Sequence, residues 1–257
     1  MIIVRNILLS LILVTTFSPL VHASDFKAMT SPLPPYSINK GLHVKGIAVD
    51  TLAVLMTLSG SPMETRDVKL MLWSHAFKYA TVGPQRIMLN VPRTPKFEKL
   101  FKWVGPIHIS KYVVIGRKDG KQISSISDLN GYKVGAVRGS LAEKALQQTG
   151  LQKGTINSSV THFIPLKKLD NKMLDYFAHA DISALYLMKT MGMNMNKYEI
   201  EYTYLEVPLY YAFSKDTKDS FIKTLNDNLQ KLKTPGSDGM SRFDKITAKY
   251  MPLGSVK

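Results

Sequence analysis

The feature that most constrains this chain is the alternation of short apolar, β-branched runs with segments of helical periodicity. Strands are predicted at residues 26–30, 64–72, 85–91, 112–115, 132–137 and 208–213, and helices at 46–58, 74–81 and 141–148, followed by a helical C-terminal part. Helix 74–81 is predicted to open on a serine cap at Ser74. Because strands that alternate with helices form sheets covered by helices, the sequence predicts an α/β protein.

The first 23 residues predict export. Arg5 supplies a positive charge ahead of the apolar run 7–14, and Val21-His22-Ala23 has the small-x-small pattern of a signal-peptidase site. The apolar run is shorter than the roughly 18 residues that a membrane anchor needs. We therefore expect a signal peptide cleaved after Ala23 and a mature protein in the periplasm, without a stable membrane anchor.

Composition argues against several kinds of chemistry. The chain has no cysteine, which removes disulfides, thiolate nucleophiles and cysteine metal sites. Its six histidines lack zinc-binding spacing, and no phosphate-binding loop, dinucleotide fingerprint or nucleophile elbow occurs. The sequence thus predicts no catalytic residue, no metal and no cofactor. A methionine run is interpreted as core filling, with copper binding as the alternative: Met188, Met191, Met193 and Met195.

The formal net charge is +15, and most of the excess is lysine spread along the chain as single residues. Nucleic-acid-binding proteins cluster their basic residues on one helix or stripe, and this chain has no such cluster. The charge therefore indicates a solvated basic surface with some preference for anionic ligands, and no nucleic-acid partner.

One segment has the form of an anion-binding turn. Val137-Arg138-Gly139-Ser140 joins a predicted strand to a predicted helix, so backbone N–H groups and the positive end of the helix dipole would face a ligand. The motif has low specificity, because many strand–turn–helix units contain it.

Several segments, taken in order, resemble the extracellular solute-binding proteins of family 3, the polar-amino-acid receptors of ABC importers. The similar segments are residues 26–36, 46–55, 93–107, 127–140, 238–239 and 243–250. They span nearly the whole chain after residue 23. The resemblance implies the type II periplasmic-binding-protein fold, in which two α/β lobes are joined by two crossing strands and close on a ligand between them.

The resemblance also implies a division of the chain. Lobe one would take residues 24–111 and the return segment 212–257, and lobe two would take residues 112–211. The crossings are expected near 111–116 and 206–212, as the only covalent links between the lobes. In this interpretation a hinge requires that the two lobes do not share one continuous sheet.

By correspondence with the family, the cleft would draw ligand-binding residues from both lobes. The predicted residues are Leu33, Tyr36, Trp73, Asn90, Arg93, Arg138, Gly139, Ser140, Leu141 and Tyr186. Trp73 would form an apolar or stacking wall, with a place in the core as an equal alternative.

Two departures from the family pattern bear on the ligand. Phe97 stands where these receptors usually carry the arginine that binds the α-carboxylate, and Tyr186 stands where they carry an aspartate for the ammonium group. Leu33 also replaces a common aromatic platform. Because phenylalanine cannot replace a bidentate guanidinium, free α-amino acids are expected to bind poorly.

The expected ligand is a small polar or aromatic solute with its body against Tyr36 and Trp73. An anionic end would face the Gly139-Ser140 turn, with Arg138 or Arg93 as the nearest cationic side chain. For Arg93 an ion pair on the surface or between lobes is an equal alternative.

The predicted function is that of a monomeric periplasmic receptor that binds a small molecule and catalyses nothing, with ABC permease subunits as candidate partners. Two alternatives stay open: a dehydratase of the cyclohexadienyl type, which shares this fold, and a periplasmic ligand sensor. Neighbouring permease and ATPase genes would favour import, and an adjacent sensor-kinase gene would favour sensing.

Overall fold

A computed structural model describes residues 25–251, so the predicted signal peptide and its cleavage site lie outside the described residues. The strands are β1 (Lys27–Thr30), β2 (Ile38–Lys40), β3 (His43–Lys45), β4 (Val68–Leu70), β5 (Arg86–Pro92), β6 (Lys102–Arg117), β7 (Val134–Val137), β8 (Ile156–Ser159), β9 (Tyr176–Ala180) and β10 (Tyr198–Phe213). The helices are α1 (Ile47–Leu58), α2 (Trp73–Val82), α3 (Pro95–Glu98), α4 (Leu141–Gln147), α5 (Phe163–Asp170), α6 (Asp181–Thr190), α7 (Asp219–Lys233) and α8 (Arg242–Ala248). The predicted α/β alternation is confirmed.

Eight strands are hydrogen-bonded in the order β4-β1-β5-β10-β6-β9-β7-β8, and β2 and β3 form a separate hairpin. In lobe one β1 pairs in parallel with β4 and β5, and in lobe two β7 pairs in parallel with β8 and β9. Between these groups β6 and β10 form a long antiparallel ribbon. Each lobe therefore has a parallel half-sheet, and the two crossing strands belong to both.

The expectation that the lobes do not share a continuous sheet is wrong, because β6 and β10 each run for 16 residues and pair along both lobes. The continuity is narrow, however. Pairing of β5 with β10 ends at Leu209, and pairing of β9 with β6 begins at Tyr112. Between them, residues 109–111 of β6 pair only with residues 206–208 of β10 among the described strands. We call this two-stranded stretch the waist.

The strand directions determine which loops face the waist. β5 is antiparallel to β10, and its last residue, Pro92, pairs with Leu209 next to the waist. β9 is antiparallel to β6, and its last residue, Ala180, pairs with Tyr112 on the other side. The C-terminal edges of both half-sheets therefore point toward the waist, which is where open α/β sheets bind ligands.

Helices cover both faces of each half-sheet. In lobe one α1 and α7 pack on one face, and α2 packs on the other through Ala76 and Ala80. On α7 the buried residues Leu225, Leu229 and Leu232 repeat at helical spacing, as predicted. The methionine run packs against the core of lobe two, with Met188 fully buried. Within residues 25–251 no helix is long and apolar enough to cross a membrane.

Two local predictions are wrong for identifiable reasons. The strand predicted at 64–72 is limited to Val68–Leu70, because Glu64 and Asp67 close a capping box around a 3-10 turn just before it. The serine cap predicted at Ser74 is absent, because the helix begins one residue earlier, at Trp73, and no side chain caps it.

Candidate ligand-binding site between the lobes

The predicted site residues fall into two groups at the facing edges of the half-sheets. In lobe one they lie in or just after the strands that reach the waist: Leu33, Tyr36, Trp73, Asn90 and Arg93. In lobe two they follow β7 or lie on the helix after β9: Arg138, Gly139, Ser140, Leu141 and Tyr186. The topology thus brings residues from distant parts of the sequence to one region, and their individual contacts decide what each can do.

Tyr36 is a buried residue of the lobe-one core, with 3% of its surface exposed. Its ring stacks on His108 at 4.1 Å between centroids, and its hydroxyl lies 2.8 Å from Nδ1 of that histidine. Burial and the nearby carboxylate of Asp181 raise the pKa of Tyr36, and burial lowers the pKa of His108 to about 3. The phenol therefore keeps its proton and is hydrogen-bonded to a neutral imidazole, so the pair forms a buried polar contact within lobe one.

Asn90 is also turned inward. It is 8% exposed, and its Nδ2 donates to Ser37 Oγ at 2.8 Å, while Ser37 Oγ lies 2.8 Å from Thr30 Oγ1. Its φ of 58° lies in the left-handed region, at the point where the register between β5 and β10 shifts. Asn90 therefore forms a β-bulge that ties the end of β5 to the turn after β1.

Trp73 is the most open aromatic residue of the predicted set, with 40% of its surface exposed. It stacks on Phe77 at 4.9 Å and lies 6.1 Å from Phe97, which is 4.7 Å from Phe77. The position that usually carries the carboxylate-binding arginine is therefore part of an aromatic cluster. Phe97 closes that cluster from the side, and Trp73 leaves an apolar surface beside the cleft edge.

Arg93 is bound within its own lobe. Its Nε and Nη2 atoms donate to the two carboxylate oxygens of Glu98 at 2.7 and 2.6 Å. The carboxylate raises the pKa of Arg93, and the guanidinium lowers the pKa of Glu98. The alternative of a surface ion pair is the one observed, so in this arrangement Arg93 does not replace the missing arginine.

The predicted anion-binding turn holds a carboxylate of the chain itself. Ser140 caps α4 by accepting from the Glu143 N–H at 3.2 Å, and Glu143, only 4% exposed, folds back toward the turn. Its Oε2 accepts from the Gly139 N–H at 2.6 Å, and its Oε1 accepts from the Ser158 hydroxyl. Glu143 therefore occupies the place that the sequence motif suggested for a ligand anion.

Asp181 is a buried carboxylate that the sequence reasoning missed. It is the first residue of α6, is 4% exposed, and its Oδ1 has no hydrogen-bond partner among the described residues. Burial raises the pKa of Asp181, and backbone N–H groups of Ile182 and Lys111 partly offset that rise. The signal was present in the sequence, because the aspartate directly follows the strand that ends at Ala180.

Tyr186, which stands at the position where the resemblance implies a family aspartate, is half-buried against the core of lobe two. It lies one helical turn beyond Ile182, which packs against the core of lobe one. Of the remaining predicted residues, Leu33 bridges to Ser37, and Leu141 and Arg138 are exposed. No group of three or more histidine, aspartate or glutamate residues in 25–251 could hold a metal ion.

Comparison with known proteins gives structural matches only. No protein-family model matches the chain, and no curated protein matches it either. Substrate-binding domain 2 of Lactococcus lactis GlnP, in an open conformation, is 19% identical, with a TM-score of 0.65 over 88% of this chain and 95% of that one. An ancestral arginine-binding protein bound to glutamine is 18% identical, with a TM-score of 0.63 over 90% of this chain and 100% of that one.

A histidine kinase sensor domain with similarity to periplasmic binding proteins is equally close in sequence. It is 18% identical, with a TM-score of 0.66 over 89% of this chain and 96% of that one. These likenesses extend over both lobes and include the crossing ribbon. The chain therefore has the type II periplasmic-binding-protein fold, with two α/β lobes joined by two crossing strands, as the resemblance implied.

Proposed function

We propose that this protein is a periplasmic solute-binding protein of family 3 type that captures a small molecule between its lobes and delivers it to an ABC importer. The observation that carries the proposal is the pair of half-sheets whose C-terminal edges face each other across the waist. Two of the similar structures are a substrate-binding domain and an arginine-binding protein bound to glutamine. Binding rather than catalysis agrees with the absence of a catalytic motif from the sequence.

A continuous sheet still permits a hinge where it narrows to two strands, as it does at the waist. Only two strands connect the lobes there, and β10 carries register shifts on both sides of it, at residues 203–205 and 209–211. Lys111 and Glu206 face each other across the ribbon at 3.9 Å, an exposed pair that contributes at most about 1 kcal/mol. Bending at the waist would therefore break few contacts, and a ligand that touches both lobes would stabilise the closed state.

The contacts at the site argue against an ordinary α-amino acid. Phe97 replaces the carboxylate-binding arginine, Glu98 already binds Arg93, and Glu143 already accepts from Gly139. A ligand carboxylate would have to displace one of these internal carboxylates or remain unpaired, and an unpaired buried charge is costly. In each lobe, a group that could bind a ligand anion is therefore already bound by a carboxylate of the chain itself.

The same contacts favour an apolar body with a cationic end. Trp73 offers an open aromatic face at the edge of the half-sheet, and Asp181 offers a carboxylate oxygen without a partner. An ammonium group would provide the missing partner for that oxygen and would favour the ionised form of a carboxyl whose pKa burial raises. We therefore propose an aromatic or aliphatic amine as the ligand class, in place of the anionic end expected from the sequence.

A set of ligands with the same aromatic body and different charges tests this proposal. Phenethylamine, phenylalanine and phenylacetate share an aromatic body and differ in their charged ends, and calorimetry on the mature protein gives their affinities. We expect phenethylamine to bind at least tenfold more tightly than the other two. Trp73→Ala and Asp181→Asn should each weaken it, whereas the control Asp227→Asn, at an exposed position on α7, should not.

Two outcomes would refute the ligand class without refuting a binding function. Phenylalanine as the tightest ligand, with an affinity that Trp73→Ala leaves unchanged, would place recognition elsewhere. Alternatively, phenylacetate as the tightest ligand, with an affinity that Trp73→Ala lowers, would show that Glu98 or Glu143 moves aside for an anion in the cleft. If small-angle scattering shows no compaction with any ligand that binds, the hinge itself is refuted.

A sensor is the second candidate function, and the likeness to a histidine kinase sensor domain favours it specifically. A sensor and an importer receptor would bind the ligand in the same cleft and differ in their partner. Deletion of the gene distinguishes them: loss of uptake of the bound amine indicates import, whereas intact uptake with a lost transcriptional response indicates sensing. Export itself is tested by mass spectrometry of the periplasmic fraction, where Ser24 should be the N-terminus.

A further inference from the structure

A second cavity lies on the outer surface of lobe one, away from the cleft. It has a volume of about 380 Å³ and is lined by His75, Lys78, Tyr79, Val82, Gly83 and Arg86. The first four lining residues lie at helical spacing on one stripe of α2, and Arg86 opens β5. Trp73 stacks on Phe77 along a different stripe, so the cavity and the cleft wall use different sides of the helix.

The base of the cavity is a guanidinium with unused hydrogen-bonding capacity. Arg86 lies over the ring of Tyr79, with its Cζ 4.3 Å from the ring centroid. Its Nε and Nη1 atoms are buried and have no hydrogen-bond partner among the described residues. Buried donors, charged ones above all, are normally paired. A ligand oxyanion toward which the Arg86 side chain turned would give these donors the partner that they lack among the described residues.

The guanidinium lies close against the backbone because residue 83 has no side chain. A Cβ on Gly83 would come within 2.8 Å of Arg86 Nε, which is closer than real Cβ contacts. Gly83 thus permits the position of Arg86 between the end of α2 and the ring of Tyr79. A residue with a Cβ at position 83 would require the guanidinium to shift from this position.

The charge of the lining has one sign. Lys78 and Arg86 are cationic, His75 can add a ring N–H, and none of the six lining residues is acidic. The nearest carboxylate of an adjoining surface groove, Asp216, accepts from the Gln85 N–H at 3.1 Å and contributes nothing to this lining. In a chain of net charge +15, this concentration of positive charge attracts anions.

The cavity also has an apolar side. Val82 is 77% exposed and Tyr79 is 49% exposed, and both lie on the same stripe as Lys78. A ligand could therefore place an apolar body against Val82 and the edge of Tyr79 while its charged group reaches Lys78 and Arg86. The lining therefore combines an apolar surface with positive charge, on α2 and the adjoining start of β5.

We propose that this cavity is a second binding site, for an oxyanion, phosphate or carboxylate, carried on an aromatic or other apolar body. The oxyanion accepts from Arg86 and Lys78, and the apolar body covers Val82 and the exposed edge of Tyr79. The proposal is independent of the cleft function, since it shares no residue with the cleft.

Phenyl phosphate is a suitable probe, with inorganic phosphate and phenol as its separate halves. In calorimetry at constant ionic strength, we expect phenyl phosphate to bind at least tenfold more tightly than either half. Lys78→Gln should weaken binding at least threefold and Arg86→Gln at least tenfold. Lys40→Gln removes the same charge from an exposed position on the β2–β3 hairpin and should have no effect, and Trp73→Ala tests the cleft.

Three results would overturn the proposal. They are absence of binding at millimolar probe, equal weakening by Lys78→Gln and Lys40→Gln, and loss of binding in Trp73→Ala alone. If Arg86→Gln fails to fold, Lys78→Gln together with Val82→Glu on the exposed rim decides the matter, since both should weaken binding. Flotation with phosphatidylglycerol vesicles that depends on Lys78 would assign the same chemistry to a lipid headgroup instead of a free solute.

Discussion

The bulge at Asn90 allows a quantitative test of how the cleft edge of lobe one is held. The side chain makes one short hydrogen bond, to Ser37 Oγ at 2.8 Å, and the backbone has a φ of 58°. Asparagine adopts this left-handed conformation more readily than other residues with a Cβ, and glycine adopts it without steric cost. Substitution by alanine and by glycine therefore separates the hydrogen bond from the backbone conformation.

The magnitudes follow from these two terms. Both substitutions remove the hydrogen bond, which costs about 1 kcal/mol because Ser37 keeps its contact with Thr30 Oγ1. Alanine adds about 1–2 kcal/mol for the left-handed backbone, and glycine adds about 0.5–1 kcal/mol of chain entropy. We expect Asn90→Ala to lower the free energy of unfolding by about 2–3 kcal/mol and Asn90→Gly by about 1 kcal/mol less than that.

Urea unfolding followed by circular dichroism measures both variants, provided that the slope against denaturant stays constant. Gln85 is a matched control, because it is exposed and has a φ of 52° but lies outside this buried network. Gln85→Gly should be about 1 kcal/mol more stable than Gln85→Ala, with no loss from a buried hydrogen bond. If Asn90→Ala is at least as stable as Asn90→Gly while the Gln85 pair behaves as expected, the bulge at Asn90 is not strained and the reasoning is refuted.

Three further predictions concern stability. Burial lowers the pKa of His108 to about 3 and that of His179 to about 4, whereas in the unfolded chain both are protonated near the usual 6.5. The free energy of unfolding should therefore be highest above that pH and fall as the pH drops toward 4, by about 2 kcal/mol per histidine between pH 7 and 5. Urea unfolding at several pH values should show this dependence, with a smaller slope against pH in His108→Gln. Glu143→Ala should cost about 1–3 kcal/mol in urea unfolding, because the Gly139 N–H loses its acceptor; an unchanged midpoint would contradict that contact. Gly46→Ala should lower the melting temperature by roughly 6–12 °C, because a Cβ there would lie 2.3 Å from a backbone oxygen at a φ of 140°, and a normal melting curve would contradict that geometry.

Part of the site could be predicted from the sequence, and part of what was missed was local. Glu98 and Glu143 lie five and four residues from the groups they bind, Arg93 and Gly139, so proximity across a short turn could have suggested both pairs. Arg93 and the Gly139 N–H were predicted to face a ligand anion, and carboxylates of the chain itself bind them instead. Asp181 was missed because the resemblance placed the family aspartate five residues later, at position 186.

Other features could not be obtained from local spacing. The partner of Tyr36 is His108, 72 residues away, and the partner of Asn90 is Ser37, 53 residues away. These contacts depend on which strands are neighbours in the sheet, and alternating strands and helices are compatible with several strand orders. The sequence therefore predicted Tyr36 and Asn90 as cleft residues but did not show that both side chains are buried within lobe one.

The sequence by itself determined the α/β class, because the spacing of apolar residues sets which segments can be strands and which can be helices. It also determined that the side chain at position 97 cannot donate to a carboxylate, since a phenylalanine has no donor. Only the tertiary structure decided that β6 and β10 join both half-sheets through a two-stranded waist, and that Arg86 is left unpaired on the outer face of α2. Long-range strand pairing and burial are properties of the assembled sheet, and neither is encoded in the neighbours of a residue along the chain.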